Sequence, residues 1–91
     1  MKRIEIIFSQ SLEEDVFASL AHIPEAARFS IIPGVRGKGY SVPKMGDAVW
    51  PGENTMMIIW CESDAAAAEI EKAVVSVREK YPDEGVACFM M

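Results

Sequence analysis

The run Thr55-Met-Met-Ile-Ile-Trp-Cys61 crosses a full strand length without a charged residue. A strand with one wet face would alternate polar and apolar residues; an unbroken apolar run calls for cover on both faces. The chain must therefore build a sheet around this segment. Arg3 to Ser9 supplies an alternating strand, with Ile4, Ile6 and Phe8 on one face and Glu5 and Ile7 on the other. Arg28 to Val35 reads as a second strand, and Val86 to Met91 as a last one, again apolar on both faces.

Two helices fill the gaps. Ser11-Leu-Glu-Glu14 has the spacing of a capping box, and Glu13, Glu14 and Asp15 suit the positive end of a helix dipole better than catalysis. Val16, Phe17 and Leu20 form that helix's apolar face, and Pro24 stops it. Ser63 or Asp64 caps a second helix running to about Lys80, with Ile70, Val74, Val77 and Tyr81 as its buried stripe. Ala65 to Ala68 permit close approach to a sheet, and Pro82 ends the helix. The order βαββαβ predicts one α+β, ferredoxin-like domain over residues 1–91, with two helices on one face of a four-stranded antiparallel sheet ordered 4-1-3-2. Its open face carries apolar residues from the third and fourth strands, which marks an interface; self-association through the sheets, as a trimer, fits this geometry.

The connection from Ile32 to Asn54 is too long for a compact domain unless it works as a lid, a binding loop or a partner surface. Gly34, Gly37 and Gly39 allow close backbone approach or positive φ, or simply serve the exit from a strand. They are no dinucleotide fingerprint, because no helix follows them. Arg36, Lys38 and Lys44 against Asp47 give the loop positive charge in a chain whose net charge is −5, so an anion or an acidic partner surface is its natural target. Trp50-Pro51-Gly52 reads as a turn, with Trp50 packed on the domain, a neighbouring subunit or a target. Glu53 and Asn54 either contact a ligand or cap the return into the third strand.

The acidic balance argues against nucleic acid. No apolar run reaches the roughly 20 residues of a membrane span, and the first residues lack a secretory signal, which points to the cytoplasm. Cys61 and Cys88 have no metal-type spacing and lie on strands separated by the first, so buried thiols are expected and a disulfide is not. His22 reads as a solvated turn residue. Met1, Met56, Met57, Met90 and Met91 are expected to gather at one sheet edge beside the loop base, with Met45 on the loop. Thioethers suit Cu(I), although packing explains the same residues more simply.

The opening Met1-Lys-Arg-Ile-Glu-Ile-Ile7, the first helix, and Gly34-Val-Arg-Gly-Lys-Gly39 before a long loop resemble the P-II family of signalling proteins. The resemblance implies a homotrimer binding a small anion, an adenine nucleotide being the example, in clefts between subunits. A ligand there would order the loop and change which enzyme or membrane transporter it fits. Gly34, Gly37, Lys38 and Gly39 fall at the family's cleft-lining loop base, with Arg36 placed there by proximity; Tyr40, Lys44, Trp50, Glu53 and Asn54 then serve the loop or its partner. The chain departs from the family before its last strand. Tyr81-Pro-Asp-Glu-Gly-Val86 has one glycine, no lysine and two carboxylates where the family has a glycine- and lysine-rich phosphate turn. Ser41-Val-Pro-Lys-Met-Gly46 and Trp50 to Asn54 look more like divergent P-II-like proteins, some associated with heavy-metal export, so a Cu or Zn binding or tolerance role is the alternative.

A small ferredoxin-fold enzyme is the second alternative. Acylphosphatases carry their arginine loop after the first strand, where this chain has Phe8-Ser-Gln-Ser11. A lone histidine without a recognisable acid–base partner gives an oxygenase or isomerase little to use, so no catalytic residue is assigned. RNA-recognition modules lack support on charge and on the missing strand-three aromatics. Trimeric cation-tolerance proteins share the architecture without the basic loop.

Overall fold

The computed structural model describes residues 1–38, 44–46 and 51–91. The strands are β1 (Lys2–Ser9), β2 (Phe29–Val35), β3 (Asn54–Cys61) and β4 (Val86–Met90); the helices are α1 (Glu13–Leu20) and α2 (Asp64–Lys80). Short 3₁₀ turns, Gln10–Leu12 and Pro24–Ala27, precede α1 and β2. The described strands form one antiparallel sheet in the order β2-β3-β1-β4, the arrangement expected from the sequence. Its central pair runs in register from Lys2 opposite Cys61 to Ser9 opposite Asn54.

The core lies between one face of the sheet and the helices. Ile4, Ile6 and Phe8 of β1, together with Met57 and Ile59 of β3, are 0% exposed. They meet Val16 and Leu20 from α1 and Ala67, Ile70, Ala73, Val74 and Val77 from α2. Removing this much apolar surface from water is the main term holding so small a domain together. Ser63 caps α2 by accepting the Ala66 N–H at 3.1 Å. At the helix's other end the Tyr81 hydroxyl donates to Asp15 Oδ1 at 2.9 Å, tying α2 to α1.

Among the described residues, no helix or strand covers the opposite face of the sheet. Alternation puts Ile7, Met56, Ile58, Trp60, Ile32 and Phe89 there, and Trp60 is 53% exposed. Arg3 shares that face, bonded to Glu5 at 2.8 Å and lying 5.5 Å over the Trp60 ring. Cover on both faces of β3, as its unbroken apolar run demands, is thus met on one side only among the described residues.

Two expectations need correction. Ser11 and Glu14 form no capping box: a 3₁₀ turn takes up residues 10–12, Leu12 is the N-cap of α1, and no side chain caps it. The methionines do not gather at one edge. Antiparallel pairing sets Met56 opposite Ile7 and Met57 opposite Ile6, near the loop base. Met90 pairs with Ile4, and Met91 exchanges backbone hydrogen bonds with Arg3, at the far end of β1. The expected thioether cluster is therefore split along the strand. Among the described residues no group of three or more His, Cys, Asp or Glu is placed to hold a metal ion.

Candidate functional site at the stem of the long loop

The loop leaves the sheet through a β-bulge. Ile32 pairs with Met56 and Val35 with Asn54, so Pro33 and Gly34 together stand opposite Thr55. β2 is an edge strand, where a proline's missing N–H leaves no ladder bond unmade. Gly34 takes φ +72°, the left-handed conformation such a bulge requires, and a Cβ there would lie 3.3 Å from Glu53 Oε2. Gly34 and Glu53 therefore face each other where the two limbs diverge.

Beyond the bulge, Gly37 and Lys44 exchange both backbone hydrogen bonds, at 2.7 and 2.8 Å. Gly37 has an ordinary φ, and among the described residues the nearest atom to a Cβ would be Asn54 Nδ2 at 4.0 Å. Arg36 is exposed and lies against Gly46; a Cβ on Gly46, whose φ is +82°, would come within 2.7 Å of Arg36 Nε. Lys38 is exposed, whereas Lys44 is only 9% exposed. The stem thus brings together Gly34, Arg36, Gly37, Lys38, Lys44, Glu53 and Asn54. Gly39, Tyr40 and Trp50 lie outside the described residues.

Sequence reasoning missed the anchor of the return limb. The Gln10 carboxamide oxygen accepts the Gly52 N–H at 2.6 Å and the Glu53 N–H at 3.1 Å, while the Gln10 N–H donates to the Glu53 carbonyl at 3.1 Å. Gly46 in turn donates to the Gly52 carbonyl at 2.8 Å. Neighbouring residues reach the turn before β4: the Ser9 N–H donates to the Gly85 carbonyl at 2.9 Å, and the Ser11 hydroxyl donates to Glu84 Oε2 at 3.1 Å. Because Ser11 gives its only proton to that carboxylate, Ser9 must be the donor in the 3.0 Å contact between the two serines. Gln10 stands more than forty positions from its partners and carries no motif, so nothing in its neighbourhood announces the contact. Gly46 was visible as a glycine, but its role depends on where Arg36 lies.

A second polar cluster closes the opposite end of the sheet. Glu25 Oε1 accepts from the amides of Glu62 and Ser63 at 2.9 and 3.3 Å, and from the Cys61 thiol at 3.5 Å; Oε2 accepts the Ser63 hydroxyl at 2.6 Å. The Ser63 hydroxyl, then the Glu62 amide, hold the Glu25 carboxyl below the usual carboxylate value. Burial is the main cause that raises the Cys61 thiol, with Glu25 adding to it. Burial, and after it the Glu71 carboxylate, pushes Cys88 up to about 11. Both cysteines are free; Cys61 is buried as expected, Cys88 is only half-buried, and both are protonated thiols at neutral pH. His22 is exposed in a turn, 3.9 Å from Glu69.

Solved structures share this architecture over nearly the whole chain. CPII of Thiomonas intermedia K12, a nitrogen regulatory PII-like protein bound to ADP, AMP and bicarbonate, superposes with a TM-score of 0.75 at 15% identity, covering 99% of this chain and 82% of that one. The fold is P-II-like. A protein of Thermus thermophilus described as a PII-like signalling protein matches with a TM-score of 0.70 at 22% identity, over 99% of this chain and 83% of the other. The apo form of CPII matches less closely, with a TM-score of 0.54 at 15% identity, over 99% and 87% of the two chains. Sequence comparison matches the chain to no protein-family model and to no curated protein.

Proposed function

We propose that this chain is a divergent P-II-like regulator, and not an enzyme, that binds a small anionic ligand in clefts between the subunits of a trimer. The observation that carries this reading is the P-II-like fold across 99% of the chain, shared with a protein solved with ADP, AMP and bicarbonate. The apolar sheet face that the described residues leave uncovered, with Ile7, Met56, Ile58 and Trp60, supports assembly through the sheets, because apolar surface of this extent favours cover by protein. Arg36 and Lys38 are the proposed ligand contacts, and among the described residues nothing lies closer than 4.0 Å to a Cβ placed on Gly37. An adenine nucleotide is the first ligand to test.

Asp83 and Glu84 precede β4. Glu84 is engaged by Ser11, but its charge still opposes a phosphate brought near it, so fewer phosphates are favoured over a triphosphate. The loop is the proposed partner surface, acting on an enzyme or transporter. No helix among the described residues is long and apolar enough to cross a membrane, and we place the protein in the cytoplasm as part of the same reading.

Native mass spectrometry of the protein alone and with AMP, ADP or ATP, each with and without bicarbonate, tests it. A trimer that gains up to three nucleotides supports the reading. In the double variant Arg36→Ala, Lys38→Ala the trimer should persist and nucleotide should be lost. A monomer that binds none of these ligands overturns the proposal.

A further inference from the structure

The turn Gln10–Leu12, whose local sequence predicts only a helix start, makes its polar contacts with two segments far along the chain. Toward one side, Gln10 takes three hydrogen bonds with Gly52 and Glu53 on the return limb of the loop. Toward the other, Ser9 and Ser11 hold Gly85 and Glu84 in the turn that leads into β4. Ser9 is fully buried and Gly52 is buried, while Gln10, Ser11, Glu53 and Glu84 are half-buried, so water's competition for these bonds is reduced. The Gln10 oxygen is the shared acceptor for two successive amides, an arrangement that a side chain lacking that oxygen cannot supply.

We propose that Gln10 is a positioning residue for the long loop, and that the Ser9–Gln10–Ser11 segment mechanically joins the loop's return limb to the Tyr81–Gly85 turn. Gly46 extends the connection, since it donates to the carbonyl of the same Gly52 whose amide Gln10 holds, and Arg36 rests on Gly46. Withdrawing the Gln10 oxygen therefore frees Gly52 and Glu53 and, through Gly52, loosens the seat of Arg36. A displacement of Glu84 acts on the same segment from the other side, through Ser11. The consequence for ligand response rests on the functional reading above; the mechanical link does not, and it is testable without any ligand.

Amide hydrogen exchange measured by NMR on the ligand-free protein provides that test, because exchange reports local opening residue by residue. Replacing Gln10 by Ala removes the side-chain acceptor of the Gly52 and Glu53 amides, so exchange at Gly52 and Glu53 should accelerate about tenfold, while Ile6 and Met57 in the sheet core stay unchanged. Gln10→Glu keeps an oxygen acceptor at the same reach and should restore most of the protection. Ser11→Ala, which removes the bond to Glu84 and the acceptor of the Ser9 hydroxyl together, should accelerate exchange at Gly52 and Glu53 a few-fold. Unchanged exchange at Gly52 and Glu53 in Gln10→Ala overturns the proposal, as does equal acceleration at Ile6 and Met57 or failure of Gln10→Glu to rescue. No change at the loop in Ser11→Ala removes the connection to the Tyr81–Gly85 turn. Should the protein bind no nucleotide, the functional reading fails and this result stands apart from it.

Discussion

Gly34 and Gly37 sit three residues apart in the loop stem, yet alanine should have opposite effects at the two positions. Gly34 holds φ +72°, and a Cβ there would meet Glu53 Oε2 at 3.3 Å. The carboxylate is the end of a flexible side chain and can give way, so the backbone conformation dominates the cost: about 1–2 kcal/mol for a non-glycine residue in the left-handed region. For a domain of this size that corresponds to a fall of roughly 5–15 °C in Tm. Gly37 has an ordinary φ and, among the described residues, a nearest neighbour at 4.0 Å. Alanine there restricts the unfolded chain without straining the folded one, and should be neutral or stabilise by up to about 1 kcal/mol.

Urea denaturation followed by circular dichroism, at one fixed protein concentration, separates the two. Gly34→Asn adds a control, because asparagine enters the left-handed region more readily than alanine and should recover part of the loss. Equal destabilisation by Gly34→Ala and Gly37→Ala would show that the bulge geometry is not what selects glycine at position 34. If Gly37→Ala keeps its stability but weakens ADP binding, the backbone at Gly37 is where the ligand approaches.

Three further outcomes follow from the structure. Trp60→Glu puts a charge on the uncovered sheet face and should dissociate the proposed trimer, since an unpaired interfacial charge costs several kcal/mol, while leaving the helix-covered core intact; an unchanged sedimentation coefficient would move the subunit contact elsewhere. Glu25 has a lowered folded pKa, so its stabilising contribution is complete above its ordinary value of 4.5 and disappears as pH falls through the folded value. The stability gap between wild type and Glu25→Gln, read from urea midpoints, should therefore hold steady near neutrality and close in acid; a gap that widens in acid contradicts the assignment. Cys88, raised to about 11, is about 0.1% thiolate at pH 8, so iodoacetamide should label it slowly in the native protein and rapidly in urea; fast native labelling would refute its protected state.

Sequence periodicity carried the architecture well because it follows from burial. Ile4, Ile6 and Phe8 alternate in the sequence and point together into the core, and Ile70, Val74 and Val77 share one helix face. The strand order followed from the order of elements. What the sequence did not disclose depends on pairings between distant residues. The Ser11–Glu14 spacing fits a capping box, but Glu84, far along the chain, is the partner of the Ser11 hydroxyl. The methionines were misplaced because opposite ends of antiparallel strands were assigned to one edge. At the candidate site, Gly34 and the cations were legible as types, whereas Gln10 and the seat of Arg36 on Gly46 exist only once the limbs are folded together.

The bulge at Pro33–Gly34 has a consequence for how this scaffold can diversify. The extra residue falls on the edge strand, while β3 keeps continuous pairing with β1 down to Asn54. Additions and deletions beyond the bulge are thereby insulated from the central ladder. The Gly37–Lys44 backbone pair lies further out still, and it too stands apart from the central ladder. The domain is in that sense built with a seam: the ladder that carries the core does not depend on the length of what the edge strand leads into.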